Sequence, residues 1–407
     1  MTKQPFLPII LGSDENAYGD VRLFHEVYHV RPLILCQRLL IPTMHSRLFD
    51  YRTFDGFDSD AVFVPTLLSV LREMGERYEK LIVIACSDYY ANLMSRHYDE
   101  FEGRIANRFP SVELLEQFET KDKFYALCER FGMPYPATVV CEAEKRFSIL
   151  GTLPFSFPIV VKPENSNARE YLHLSFEGKK KVYFLNDPEE FYKVMHALDR
   201  AGYRGKLIIQ EYIEGGDSAM RVVNSFSDNE GKVRASCLGQ PLLEEYAPYT
   251  LGNYAAIITR YEPRVYSEVQ SFLEKIGYVG FSNFDMKYDA RRDRYVLFEI
   301  NPRLGRSSFF VRAAGINMMK ELVESTVEGN CHDTVYGDKV AMWSNVPLGI
   351  LRRYLKDPIL KKEMKALSGS CLYTLYHKKD RSLKRLYRIT RFYLSHYKNY
   401  KKYYFDK

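Results

Sequence analysis

Tryptophan occurs once in 407 residues, and cysteine only seven times. The cysteines stand at 36, 86, 128, 141, 237, 331 and 371, with no C-x-x-C pair. An odd, scattered set excludes a disulfide scaffold and a cysteine-held structural zinc. They read as small buried hydrophobes of a reducing compartment. No apolar run approaches the roughly 20 residues that span a bilayer. The apolar stretch at the N-terminus is too short for a secretory signal before Asp14 and Glu15 arrive. A cytoplasmic location is therefore expected. The P-loop pattern G-x-x-x-x-G-K-[ST] is absent, since each Gly-Lys is followed by Lys, Leu or Val. The dinucleotide fingerprint G-x-G-x-x-G is absent too. There is no internal repeat and no low-complexity segment.

What is present is ordinary for a folded chain: 46% hydrophobic and 27% charged residues. The length predicts two or three domains. Charge is unevenly placed. Residues 347–407 carry +13 with nine tyrosines, and the rest of the chain carries −7. A basic, aromatic tail on an acidic body leaves three readings open. It is a solvated helical appendage, a contact for an anionic acceptor or membrane surface, or a nucleic-acid site.

Buried strands at 6–11, 32–36 and 81–86 alternate with helices at 20–29 and 61–79. That alternation predicts a doubly wound α/β domain over 1–115. Helix 120–131 ends at Gly132 and precedes strands at 157–163, 181–185 and 206–213, with a helix at 188–200 between the last two. A β-rich stretch at 219–261 and a helix at 263–276 follow. Strands 281–289 and 294–303 read as a hairpin, and the chain from 350 onward as helical.

Chemistry concentrates in that hairpin. Glu299 and Asn301 lie at i and i+2 of one strand and share a face; Asp285 lies on the strand before. Two carboxylates and an amide oxygen suit a hard divalent cation such as Mg²⁺. Arg303 and Arg306 follow and suit phosphate or an oxyanion. The plain alternative is a charged strand face turned to water. Lys162 closes an apolar strand and opens the polar loop 164–178; it either reaches phosphates or is solvated. In LIIQEYIEGGD an apolar strand runs into a Gly-Gly turn, where exposed backbone can read an adenine edge.

Taken together these pieces resemble the ATP-grasp superfamily, in order, over roughly 115–330. The resemblance implies that Lys121 contacts the nucleotide and that Lys162 touches its α- and β-phosphates. It implies that Gln210, Glu211 and Ile213 form the adenine-reading hinge and that Asp217 holds the ribose. It makes Asp285, Glu299 and Asn301 the metal ligands, with Asp285 at the most variable of these positions. Where the superfamily often has Glu, this chain has Gln210. The run EINPRLGRSS is very like a stretch of carbamoyl-phosphate synthetases. PIILGSDENAYG and KPENSNAREYLHLSFEGKKKVY look most like the D-aspartate ligases of Gram-positive cell-wall synthesis.

The implied fold is α/β, with an α+β nucleotide-binding body. The implied division is an α/β domain at 1–115, an ATP-grasp domain at 116–345 with a lid at about 150–215, and a basic helical extension at 346–407. The implied cofactors are ATP and Mg²⁺, with Mn²⁺ as a substitute. The implied reaction activates D-aspartate as an acyl phosphate and passes it to a lysine amine of a peptidoglycan precursor. Arg303 and Arg306 then stabilise the carboxylate and oxyanion, and loop 164–178 is a lid. Other amino acids or peptides as substrates stay open. The implied partners are a small amino acid and an anionic amine-bearing acceptor, with weak membrane-surface contact through 347–407 and no nucleic acid. Asp14, Asn16 and Asp88 are candidates for the substrate side, and helix caps or turns explain them equally well.

One rival comes from another class. His25-Glu26-Val27-Tyr28-His29 matches H-E-x-x-H, a zinc-peptidase pattern when both histidines share a helix face. It has no evident third ligand. A nucleotide-binding regulator with a dead site is the other alternative, and intact Lys162, Glu299, Asn301 and Arg303 weigh against it.

Overall fold

Strand β1 (Gln4–Leu11) alternates between two apolar layers. Ile9 and Leu11 pack with Phe63, Leu67 and Val70, while Ile10 packs with Tyr18, Val21 and Phe24. A strand covered on both faces must be apolar throughout, which is why it reads as a continuous run. It lies in a four-stranded parallel sheet with β2 (Leu33–Cys36), β3 (Asp50–Thr53) and β4 (Tyr78–Ala85), in the order β3-β2-β1-β4. Polar, exposed β3 went unread in the sequence because it is an edge strand. Helix Glu15–Tyr28 begins earlier than expected because Asp14 caps it, its Oδ1 accepting from Ala17 N at 3.1 Å. Helix Asp60–Gly75 covers the other face. The structure is a computed structural model and describes residues 3–164, 169–248, 250–330 and 332–405. Residues 165–168 of the expected lid loop, and Cys331, lie outside these.

The next sheet is antiparallel: β5 (Thr138–Cys141), β6 (Ile159–Pro163), β7 (Tyr183–Leu185) and β8 (Leu207–Glu211), in the order β5-β8-β6-β7. Its core face presents Ile159, Val161, Leu207 and Ile209 to Phe191, Met195 and Leu198 of helix Pro188–Arg200. Helix Lys121–Phe131 ends at Gly132, whose φ of 73° closes the turn as the sequence predicts.

A seven-stranded sheet follows: β9 (Met220–Ser227), β10 (Val233–Glu244), β11 (Tyr254–Arg260), β12 (Gly280–Asp289), β13 (Arg294–Asn301), β14 (Val335–Tyr336) and β15 (Met342–Ser344). The order is β13-β12-β9-β10-β11-β15, with β14 beside β10.

The chain divides into two compact units. One comprises Met1–Leu115, Gly215–Met286 and Glu299–Lys407; the other comprises Glu116–Glu214 and Lys287–Phe298. The basic tail therefore belongs to the same unit as the N-terminal sheet. Helix Leu383–Tyr403 buries Arg385, Ile389, Tyr393, His396 and Tyr400, a helical period. Tyr393 joins the core around Tyr18 and Phe309, and Tyr400 joins that around Tyr246 and Ile350. Among the described residues no helix is long and apolar enough to cross a membrane.

Candidate active site

In the first unit the sheet carries a row of polar side chains. Asn283 and Asp285 share a face of β12 by the pleat, with Asn224 on β9 and Asn301 on β13. Asn301 Nδ2 donates to Asn283 Oδ1 at 3.2 Å, and Asn283 Nδ2 donates to Asn224 Oδ1 at 3.1 Å. Asn301 Nδ2 also approaches Asp285 Oδ2 at 3.5 Å. The amide chain thus fixes Asn301 beside Asp285. On the same strand as Asn301, Glu299 is exposed.

Burial pushes the Asp285 carboxyl up to about 7, and the nearby Glu299 charge adds to this. The Tyr254 hydroxyl, donating to Asp285 Oδ1 at 2.9 Å, and Arg303 work the other way. Tyr254 is itself pushed up, by burial first and then by Asp285, so it keeps the proton it donates. Two crowded carboxylates fit a hard divalent cation, whose charge would offset the burial and the Glu299 repulsion that raise Asp285; Asn301 turns Nδ2 to Asp285 here, and its oxygen joins the set with the amide flipped.

The two arginines are held by acids that open the helices after β1 and β4. Arg303 Nη2 lies 2.8 Å from Asp88 Oδ2, and Arg306 Nη2 lies 2.9 Å from Glu15 Oε1. Burial opposes the Arg306 charge, but Glu15, Glu245 and Asp14 outweigh it and hold its pKa above the ordinary value. Burial takes Asp14 up to about 6 and Glu245 up to about 7. Asn16 Nδ2 donates to Leu304 O at 3.0 Å, and Asn16 Oδ1 accepts from Ser308 Oγ at 3.0 Å. The sequence candidates Asp14, Asn16 and Asp88 therefore gather around the loop that carries Arg303 and Arg306. Glu15, Glu245 and Tyr254 were missed. Glu15 is adjacent to a candidate, but no local pattern marks Glu245 or Tyr254.

Asp217 follows the Gly-Gly turn and leads into β9. It is buried, its Oδ2 accepts from Tyr246 OH at 2.8 Å and from Glu244 N at 3.0 Å, and its Oδ1 is closed to solvent. The carboxylate braces the end of β10. Tyr246 is the physical reason, because its hydroxyl needs an acceptor when buried.

The second unit holds the other five predicted residues. Register pairs Val160 and Thr138 with Gln210, and Lys162 with Ile208, so Lys162 and Gln210 share the sheet face opposite the core face. Gln210 is buried, and its Nε2 donates to Tyr125 OH and to Thr138 Oγ1, both at 2.8 Å. Glu211 points the other way. Its Oε1 accepts from Ala137 N at 2.9 Å and its Oε2 lies 2.8 Å from Arg292 Nη2. Ile213 is buried, and Lys121 Nζ donates to Phe298 O at 2.8 Å.

The H-E-x-x-H reading is overturned. His29 has left the helix with φ 54°, and its Nδ1 lies 2.9 Å from His25 O. Glu26 is paired with both Arg22 and Arg312 at 2.7 Å, which removes it as a base. Among the described residues neither histidine belongs to a metal-competent cluster.

No family model matches the chain. A D-aspartate ligase from Enterococcus faecium (strain Aus0004) is 38% identical over 414 residues, covering 99% of this chain and 98% of that protein. The carbamoyl phosphate synthase large chain, C-terminal section, of Methanopyrus kandleri is 21% identical over 214 residues, covering 51% of this chain and 36% of that protein. Among solved structures, N5-carboxyaminoimidazole synthetase from Staphylococcus aureus matches with a TM-score of 0.60 and 11% identity, covering 88% of each chain. Phosphoribosylglycinamide synthetase from Anaerococcus prevotii matches with a TM-score of 0.57 and 15% identity, covering 80% of this chain and 76% of that one. These structural likenesses show the ATP-grasp fold.

Proposed function

The chain belongs to the D-aspartate ligase family of ATP-grasp enzymes, and from that premise we propose that it joins D-aspartate, through its side-chain carboxylate, to the lysine side-chain amine of a peptidoglycan precursor. As a member of this family it is an ATP-dependent ligase of a carboxylate and an amine, using ATP and a divalent metal. The full-length likeness to a protein named D-aspartate ligase carries the choice of substrates.

The residue roles are part of the proposal. Asp285, Glu299 and Asn301 would hold Mg²⁺, or Mn²⁺ in its place; when bound, the ion neutralises phosphate charge. Tyr254 keeps Asp285 nearer its anionic form. Lys121 and Lys162 bind phosphates, while Gln210, Glu211 and Ile213 frame the adenine. Arg303 stabilises the carboxylate oxygen that attacks the γ-phosphorus, and later the oxyanion formed as the amine attacks the acyl phosphate. Arg306 stands among Asp14, Glu15 and Glu245. That mixture of one cation and several acids suits an amino acid, which brings charges of both signs. The outward face of helix Leu383–Tyr403 exposes Leu383, Tyr387, Leu394 and Tyr397 and has no acid anywhere in its sequence. It is the surface we assign to the anionic acceptor or the membrane that carries it.

The test is ADP release from ATP and Mg²⁺ with a panel of D- and L-amino acids, with and without a UDP-linked muramyl pentapeptide containing lysine. Release that depends on D-aspartate, with one aspartyl unit gained by the peptide, supports the proposal. Release with a different amino acid refutes the substrate and keeps the ligase.

A further inference from the structure

Away from the ligase residues, three potential ligands converge at the end of helix Met318–Val323. Glu321 lies on its last turn and Glu324 opens the π-helical turn Glu324–Glu328, so the two share a face. His332 reaches them from the loop that enters β14. Its Nε2 lies 2.9 Å from Glu321 Oε2 and 3.4 Å from Glu324 Oε2. Glu321 is only 5% exposed, and neither carboxylate oxygen receives an aligned hydrogen bond although both atoms are buried.

The other ring nitrogen decides how this is read. His332 Nδ1 lies 2.7 Å from Asp333 O. A carbonyl only accepts, so Nδ1 carries a proton; the Asp333 carbonyl and the two glutamates also raise the His332 pKa, so without an ion the ring pairs with the carboxylates as a cation, and an incoming metal takes the place of the Nε2 proton. A backbone carbonyl on the far nitrogen is the usual way a metal-binding histidine is oriented. The Nε2–oxygen separations bracket the edge of a coordination tetrahedron, roughly 3.3 Å for bonds of about 2.0 Å.

The frame is rigid. Asn317 caps the helix, its Oδ1 accepting from Met319 N at 3.0 Å and Lys320 N at 3.2 Å. Arg234 Nη1 donates to His332 O at 2.7 Å, and Thr334 Oγ1 donates to Val233 O at 2.7 Å. Lys320 Nζ sits 3.1 Å from Glu324 Oε2 and is the cation a metal would have to compete with.

We propose that Glu321, Glu324 and His332 form a site for one divalent transition ion, Zn²⁺ by preference, which clasps the helix to the loop entering β14. An imidazole nitrogen with two carboxylates favours such an ion over Mg²⁺ or Ca²⁺. Three protein ligands leave a fourth position for water, and the role is structural.

The test uses the full chain, stripped with a chelator, then titrated with Zn²⁺ against a chromophoric competitor, with melting temperature as second readout. One equivalent should bind to the wild type and raise its melting temperature. Glu321→Gln and His332→Ala should each weaken binding at least tenfold and lose the thermal shift, while His25→Ala keeps both. Lys320→Met removes the competing cation and should tighten binding, which tests the site even if another variant folds poorly. No saturable binding, or equal binding by wild type and His332→Ala, overturns the proposal. Loss of the ion in His25→Ala would assign it elsewhere and also overturn it.

Discussion

The Tyr254 hydroxyl on β11 donates to Asp285 Oδ1 on β12 across 2.9 Å. These strands are not neighbours in the sheet, so the bond is a tertiary one. It lowers the pKa of a carboxyl that burial and Glu299 raise. Tyr254→Phe should weaken Mg²⁺ binding by about 1.5–3 kcal/mol, the usual range for a hydrogen bond to a charged group. The check is the Mg²⁺ concentration giving half-maximal ADP release, which should rise roughly tenfold or more. An unchanged value would separate Asp285 from the metal.

The same carboxyl gives a pH signature. Its pKa goes from 3.8 to about 7 on folding. Between those values the folded chain holds a proton that the unfolded chain has released, so stability falls as pH rises through the window. Asp285→Asn removes that penalty. It should raise the melting temperature at pH 8 and change it little near pH 4. In wild type, metal affinity should fall as pH drops below about 7.

Arg303 is held by Asp88, and in the proposed mechanism its loss removes an oxyanion donor. Arg303→Met should cost about 3 kcal/mol of barrier, or roughly 100-fold in kcat. Asp88→Asn leaves the guanidinium in place and should cost far less. Single-turnover kinetics separate the two, and equal losses would mean that Arg303 only anchors the loop.

Arg385 is charged yet sits in the core. It pairs with buried Asp380 at 2.9 Å, donates to Pro42 O at 2.9 Å and lies 4.1 Å from the Tyr18 ring centroid. Arg385→Met strands the Asp380 charge and should destabilise the fold by about 3–5 kcal/mol. Chemical denaturation would measure it. A loss below about 1 kcal/mol would make the tail the loose appendage that its composition allows.

The exposed cations Lys384, Arg388 and Arg391 lie along the same helix as exposed Leu383, Tyr387 and Leu394. Each cation near an anionic membrane contributes about 1 kcal/mol. Reversing all three to Glu should abolish sedimentation with phosphatidylglycerol vesicles, and salt should release the wild type. Binding to neutral vesicles, or salt-insensitive binding, would refute electrostatic docking.

Much of this was legible along the chain, because short-range rules suffice. The strand period places Glu299 and Asn301 on one side, Gly132 ends a helix, and continuous apolar runs mark the doubly covered β1 and β4. The order of the ATP-grasp pieces along the chain is itself the family's signature. For Asp217 the sequence shows an acid after a Gly-Gly turn but not its bond to Tyr246, 29 residues on. H-E-x-x-H was a valid pattern whose helix stops one residue too soon.

The sequence by itself determined the elements, their order, the donor chemistry and the family, since these depend on residue type and spacing within a few turns. Only the tertiary structure decided which acids became crowded, which arginine was sunk in the core, and that His332 meets Glu321. Those outcomes depend on burial and on charges brought together from distant segments, as Tyr254 with Asp285 and Arg385 with Asp380. Desolvation and Coulomb energy act through space, and the chain reveals them only after packing has set the distances.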